Sequence, residues 1–141
     1  MASKIIETTK IKSSNFGQFE IQPENIFYLK EGLLGFETLN NFVLITDDDI
    51  VPFKWFMSVE EPEIMFPIVS PYFIDAEYNP GKNVDLEKNV LFLVVTFNDG
   101  NGNVTANLRA PIILNSIDLT GEQIIITSDK YNVNHIISHK K

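Results

Sequence analysis

An all-β fold of mainly antiparallel strands, forming a small closed or partly open β-barrel with short helical turns in its loops, is predicted by three observations. Period-two alternation rich in β-branched and aromatic residues recurs in eight short runs. Clusters of Gly, Asn, Asp and Pro separate those runs. No segment carries an apolar stripe long enough for an amphipathic helix.

In chain order, residues 4–11 and 16–21 read as the first two strands, joined across the turn-forming Ser13-Ser14-Asn15. Runs 42–46 and 52–58 flank Asp47-Asp48-Asp49, whose charges suit a solvated hairpin tip and discourage pairing with other chains. Residues 65–69 follow, and then Pro71 to Lys88 forms the main insertion, anchored by Tyr72, Phe73 and Tyr78. One helical turn is expected at Asp85 to Lys88 and another at Phe36 to Leu39. Runs 90–97 and 105–115 enclose Asn98 to Asn103, which contains Asp-Gly and Asn-Gly, dipeptides that tolerate the positive φ of a hairpin turn. The second arm carries Asn107 and Arg109 inside an apolar pattern and then Pro111, which cannot donate a ladder hydrogen bond. A bulge or edge position around Ala110 and Pro111 is therefore expected. Residues 123–127 complete the series, and successive hairpins of this kind close into a barrel because closure removes exposed edges.

The 141 residues suit a single domain, 1–141, with about 132–141 read as a flexible tail. Absence of cysteine removes disulfide and thiolate chemistry and agrees with a reducing cytoplasm. Near the start, Lys4, Glu7 and Thr8 interrupt isolated isoleucines, so no signal peptide and a cytoplasmic location are expected. The longest wholly apolar run, Val90 to Val95, is six residues. A membrane helix needs roughly 20, so no spanning segment is expected.

Net charge is −8, and its distribution is uneven. Between Glu20 and Asp129 stand 18 acidic residues against five basic ones, a net of −13 for the body, while Lys4, Lys10, Lys12, Lys130, Lys140 and Lys141 sit toward the ends. Such a body repels phosphate backbones, which argues against direct nucleic-acid binding, and favours encounter with a basic partner. Negative charge also serves plain solubility.

Few constellations point to chemistry. His135 and His139 have a spacing that on a helix would form half of a zinc site, but no Cys or adjacent Glu completes it. Asp47-Asp48-Asp49 lacks the alternating acids and central Gly of a calcium loop. Gly32 and Gly35 have the wrong spacing for a nucleotide fingerprint, and no serine sits in a nucleophile elbow. Glu60, Glu61 and Glu63 form an acidic cluster beside the single Trp, better suited to meeting arginines than to acid-base catalysis. If Trp55 and Phe53 face the core, alternation turns Phe56 outward as a partner contact. Asn107 and Arg109 either fix a bulge by bonding loop carbonyls and acids or flank a partner groove. As the chain's single arginine in an acidic body, Arg109 is expected to have an intramolecular carboxylate partner.

Four blocks carry a family resemblance. Thr105 to Asn115 has the pattern TANLxAPIxxN, Glu31 to Glu37 reads EGLLGFE, Trp55 to Pro62 reads WFMSVEEP, and Gln123 to Tyr131 forms a closing strand. Their order and spacing, over roughly 15 to 135, resemble the bacterial flagellar assembly factor (FliW) family. Lys30 and Leu34 stand where that family usually has prolines, and Ser70 where it has Asp. The resemblance implies a non-enzymatic regulator, without cofactor, that binds flagellin and binds and antagonises the translational repressor CsrA, the carbon storage regulator. Glu31, Glu60, Glu61 and Glu63 are the residues expected to meet the regulator, and Phe36, Phe56, Asn107 and Arg109 those expected to meet flagellin. The competing reading is a small-molecule or metal-binding barrel using the acidic loop with His135 and His139.

Overall fold

The computed structural model describes residues 3–139. Its strands are β1 (Thr9–Ser13), β2 (Gly17–Ile21), β3 (Ile26–Tyr28), β4 (Asn41–Ile45), β5 (Lys54–Ser58), β6 (Met65–Val69), β7 (Asn89–Thr96), β8 (Asn103–Ala106), β9 (Ile112–Asn115), β10 (Thr120–Gln123) and β11 (His135–His139). Among the described residues helix is confined to single turns, 3-10 at Pro23–Asn25 and Asp48–Ile50 and α-helical at α1 (Pro71–Ile74). Local chemistry explains α1: the Ser70 hydroxyl accepts from the Tyr72 amide, and Pro71 occupies the first turn, where its missing N–H costs nothing. The turns expected at 36–39 and 85–88 form as hydrogen-bonded turns, closed by Leu39 N–H to Phe36 O and Lys88 N–H to Asp85 O.

Seven strands close a ring in the order β7-β6-β5-β4-β3-β10-β9 and back to β7. All contacts around it are antiparallel except β3 with β10. The all-β barrel read from the sequence is therefore the fold. Strand β3 went unread because its three residues give no alternation to detect.

Strand β7 serves two neighbours along one edge. Its first half pairs with β9, Phe92 facing Ile112, and its second half pairs with β8, Val95 facing Ala106. Five residues, 107–111, thus oppose only Leu93 and Val94, so three extra residues are extruded. The arm read as one strand, 105–115, is two strands separated by this bulge, which holds Ala110 and Pro111 as expected.

Apolar side chains gather in three places. Phe27, Leu29, Phe42, Phe56, Ile68, Phe92, Ile112 and Leu114 fill the barrel interior. The hairpin β1–β2 packs Ile11 and Ile21 against Ile26, Val43 and Met57 on the barrel's outer face. A third cluster joins β7 and β8 to Tyr78 and Tyr131.

Two expectations are corrected here. Phe56 points into the barrel, fully buried and stacked on Phe42 with ring centroids 4.6 Å apart, so it is no surface contact. Trp55 takes the opposite face, half-buried edge-on to Phe97, with Nε1–H donating to Asp47. Period two was right; the face was inverted, because Met57 beside Phe56 is covered by the hairpin and both sides of β5 are apolar. The second correction concerns 132–141. His135–His139 is a strand paired antiparallel with β8, docked by buried Tyr131 and by Leu108 N–H donating to Asn132 O. Lys140 and Lys141 lie outside the described residues.

Candidate protein-binding surface

The signature bulge is held by its own polar side chains. Asn107 Oδ1 accepts from the amides of Arg109 and Ala110 at 3.0 and 3.1 Å, capping the extruded turn. Arg109 reaches across to the carbonyls of Ile126 and Thr127 and to Asp129, an ion pair of 3.3 Å. Both residues thus do the bulge-fixing work, and Arg109 has the carboxylate partner expected of it. Asp129 is wholly exposed, so the pair adds little stability and mainly orients the guanidinium.

Gln123 ties this bulge to the Glu31–Glu37 turn, its Nε2 donating to Ala110 O and its Oε1 accepting from Leu34 N–H. Gly32 makes that turn possible. Its φ is +65°, and a Cβ there would stand 2.5 Å from Phe36 O. Phe36, half-buried, packs edge-on against Phe66 at 5.1 Å. Turn and bulge together line a shallow mouth of about 210 Å³ that includes Leu34, Asn107, Gln123 and Val133. Leu34 and Val133 are 51% and 58% exposed at its rim. Of the residues expected to meet flagellin, Asn107 lines this mouth and Phe36 lies in the turn that builds it. Arg109 is turned toward Ile126 and Asp129, and Phe56 is inside the barrel.

The acidic residues divide by role. Glu60 is half-buried and bonded to the chain itself: Oε1 accepts from the amides of Asn40 and Asn41, both at 3.0 Å, and Oε2 accepts from Asn41 Nδ2. Glu63 is exposed and accepts from the Ser14 amide and hydroxyl, pinning the β1–β2 turn. These two donors hold its carboxyl below the usual carboxylate range. Glu31 and Glu61 are exposed. Asn40 Nδ2 also donates to Lys30 O, which draws the Glu31 turn beside the Glu60 turn.

His135 and His139 lie on a strand, where positions four apart are about 13 Å distant along the chain. Among the described residues no three His, Cys, Asp or Glu side chains cluster as ligands, and no helix is long and apolar enough to cross a membrane. Sequence reading missed the buried pair Asn40 and Asn41, the hub that organises the acidic turns. Their signal is two amide residues leading directly into an apolar run.

Known proteins resemble the chain over nearly its full length. The FliW protein family model matches residues 10–137. The flagellar assembly factor FliW of Thermoanaerobacter pseudethanolicus is 34% identical over 138 residues, covering 91% of this chain and 92% of the relative. That of Clostridium botulinum strain Okra is 38% identical over 128 residues, covering 84% and 90%. A crystal structure of the flagellar assembly factor FliW superposes with a TM-score of 0.83 at 27% identity, covering 94% of this chain and 99% of that one. These relatives are named as assembly factors rather than as enzymes. The chain belongs to the FliW family of flagellar assembly factors.

Proposed function

We propose that this protein is a non-enzymatic cytoplasmic regulator of flagellar assembly that binds flagellin and binds and antagonises CsrA, relieving repression of flagellin mRNA translation. Accumulated flagellin would occupy the factor and release the repressor; export of flagellin would reverse the switch. Family membership over residues 10–137 carries the reading. The chemistry of the surface supports it. A body of net −13 between Glu20 and Asp129 suits a basic repressor and disfavours direct contact with RNA. Glu31 and Glu61 are the acids free to meet that repressor, with Glu63 beside them, while Glu60 supports them from within. Leu34 and Val133 at the mouth, with Phe36 and Asn107 behind, offer flagellin an apolar contact.

Titration calorimetry against the CsrA of the same organism, repeated with the factor preloaded with flagellin, tests the switch. Tight binding abolished by flagellin is the expected outcome, and absence of binding to both proteins overturns it. Substituting Glu31 and Glu61 by lysine should weaken CsrA binding and flatten its salt dependence, leaving the melting temperature within about 2 °C. Unchanged affinity would move the repressor to another face.

A further inference from the structure

Where the β1–β2 hairpin leans on the barrel, the two part on one side and leave a groove of about 660 Å³, open to solvent. Its walls are Phe16 and Phe19 of the hairpin, Ile45 of β4 and Leu119 of the turn after β9. Glu20 and Glu24 stand on its rim, and no lysine or arginine lines it. Two lysines stand beside the rim without lining the groove. Lys4 Nζ donates to the carbonyls of Pro23 and Ile26, and Lys10 faces Glu20 in the hairpin register without an ion pair between them. Among the described residues the ion pair formed is Arg109 with Asp129, on another part of the barrel.

A metabolite site needs a few converging polar groups to fix its ligand. The side chains lining this groove are mostly aromatic and aliphatic, and the charged ones, Glu20 and Glu24, are both acidic. Aromatic and aliphatic walls under an acidic rim match the recognition of an amphipathic segment, apolar residues entering the trench and cations meeting its edge. Ile117, next in the chain to the lining residue Ser116, is 83% exposed. We propose that this groove docks an amphipathic peptide segment of a partner protein, apolar on one face and flanked by lysine or arginine. The site uses none of Glu31, Glu61, Leu34 or Asn107, so it stands or falls apart from the assignments made above.

The test uses the full chain and two fluorescent peptides of about 18 residues, one of leucine and lysine patterned as an amphipathic helix, the other with glutamate for lysine. Anisotropy should show binding of the basic peptide and none of the acidic one. Glu20→Lys with Glu24→Lys should weaken binding at least about tenfold, whereas Glu87→Lys with Glu122→Lys, which changes net charge equally, should stay within about twofold. Ser116→Trp, which fills the groove without changing charge, should weaken binding as the rim pair does. Equal loss from both charge pairs would reduce the effect to the overall field and overturn the proposal. So would an unaffected Ser116→Trp variant, or failure of the basic peptide to bind the wild type.

Discussion

Replacing Glu60 with alanine removes the acceptor of three hydrogen bonds, two of them from backbone amides. Asn40 and Asn41 are both 0% exposed, so neither amide can turn to solvent on its own. A buried donor left without a partner costs about 1–3 kcal/mol, more when the lost acceptor was charged. Glu60 itself is half-buried, and water entering the vacated space recovers part of that cost. Two backbone donors at about 1.5 kcal/mol each put the net loss near 3 kcal/mol, or roughly a 10 °C fall in melting temperature for a domain of this length. Urea denaturation followed by fluorescence of Trp55 measures it, with Glu61→Ala as the exposed neighbour expected to stay within about 0.5 kcal/mol. Glu60→Gln, which keeps one acceptor oxygen, should fall between the two. A Glu60→Ala loss no larger than that of Glu61→Ala would refute the claim that this carboxylate organises the turn.

Other substitutions probe separate parts of the argument. Gly32→Ala places a Cβ against Phe36 O at positive φ and should cost at least about 2 kcal/mol by the same denaturation assay; a neutral effect would mean that the turn relaxes freely. Phe56→Ala should cost about 3–5 kcal/mol, as for a large core ring, and a loss below about 1 kcal/mol would return Phe56 to the surface. Asn107→Ala removes the acceptor from Arg109 and Ala110 and should lower stability by about 1–2 kcal/mol, with no change expected in β-sheet circular dichroism. The lowered pKa of Glu63 sets a pH dependence: its contribution is complete above the unfolded value of 4.5 and is lost as pH falls through the lower folded value. Glu63→Gln should therefore flatten the acid side of the stability profile, and an unaltered profile would count against the Ser14 contact.

Strand identity was legible over much of the chain but not at 123–127, where only Gln123 belongs to a strand and the amides of Ile124 and Ile126 bond to the bulge carbonyls of Pro111 and Arg109. Residues 65–69 coincide with β6, and the Asn98–Asn103 turn forms the expected hairpin, with Gly100 and Gly102 at φ of 96° and 82°. Which face of a strand looks inward was not legible. In β5 the run Trp55-Phe56-Met57 is apolar on both sides, and only the hairpin folding over from far upstream decides the matter. For the same reason the acidic cluster could be seen but not sorted: the partners of Glu60 are some 20 residues earlier, and Ser14 is 49 residues from Glu63. His135 to His139 looked like a polar tail because its neighbour β8 is itself a short branch of the sheet, invisible until the bulge is known.

That branch has a consequence for how the molecule avoids sticking to its own kind. Closing a barrel consumes every strand edge, yet the three residues extruded after β8 split the seam and return one edge to the sheet, which β11 carries as its last strand. A free edge is a template on which another chain can add a strand. Here the register of β11 breaks between Ile136 and Ser138, so the exposed rail of amides and carbonyls is never straight for more than two residues. The irregularity acts as a guard: it denies an incoming strand the regular spacing it would need, at the one place where the barrel's seam was left open.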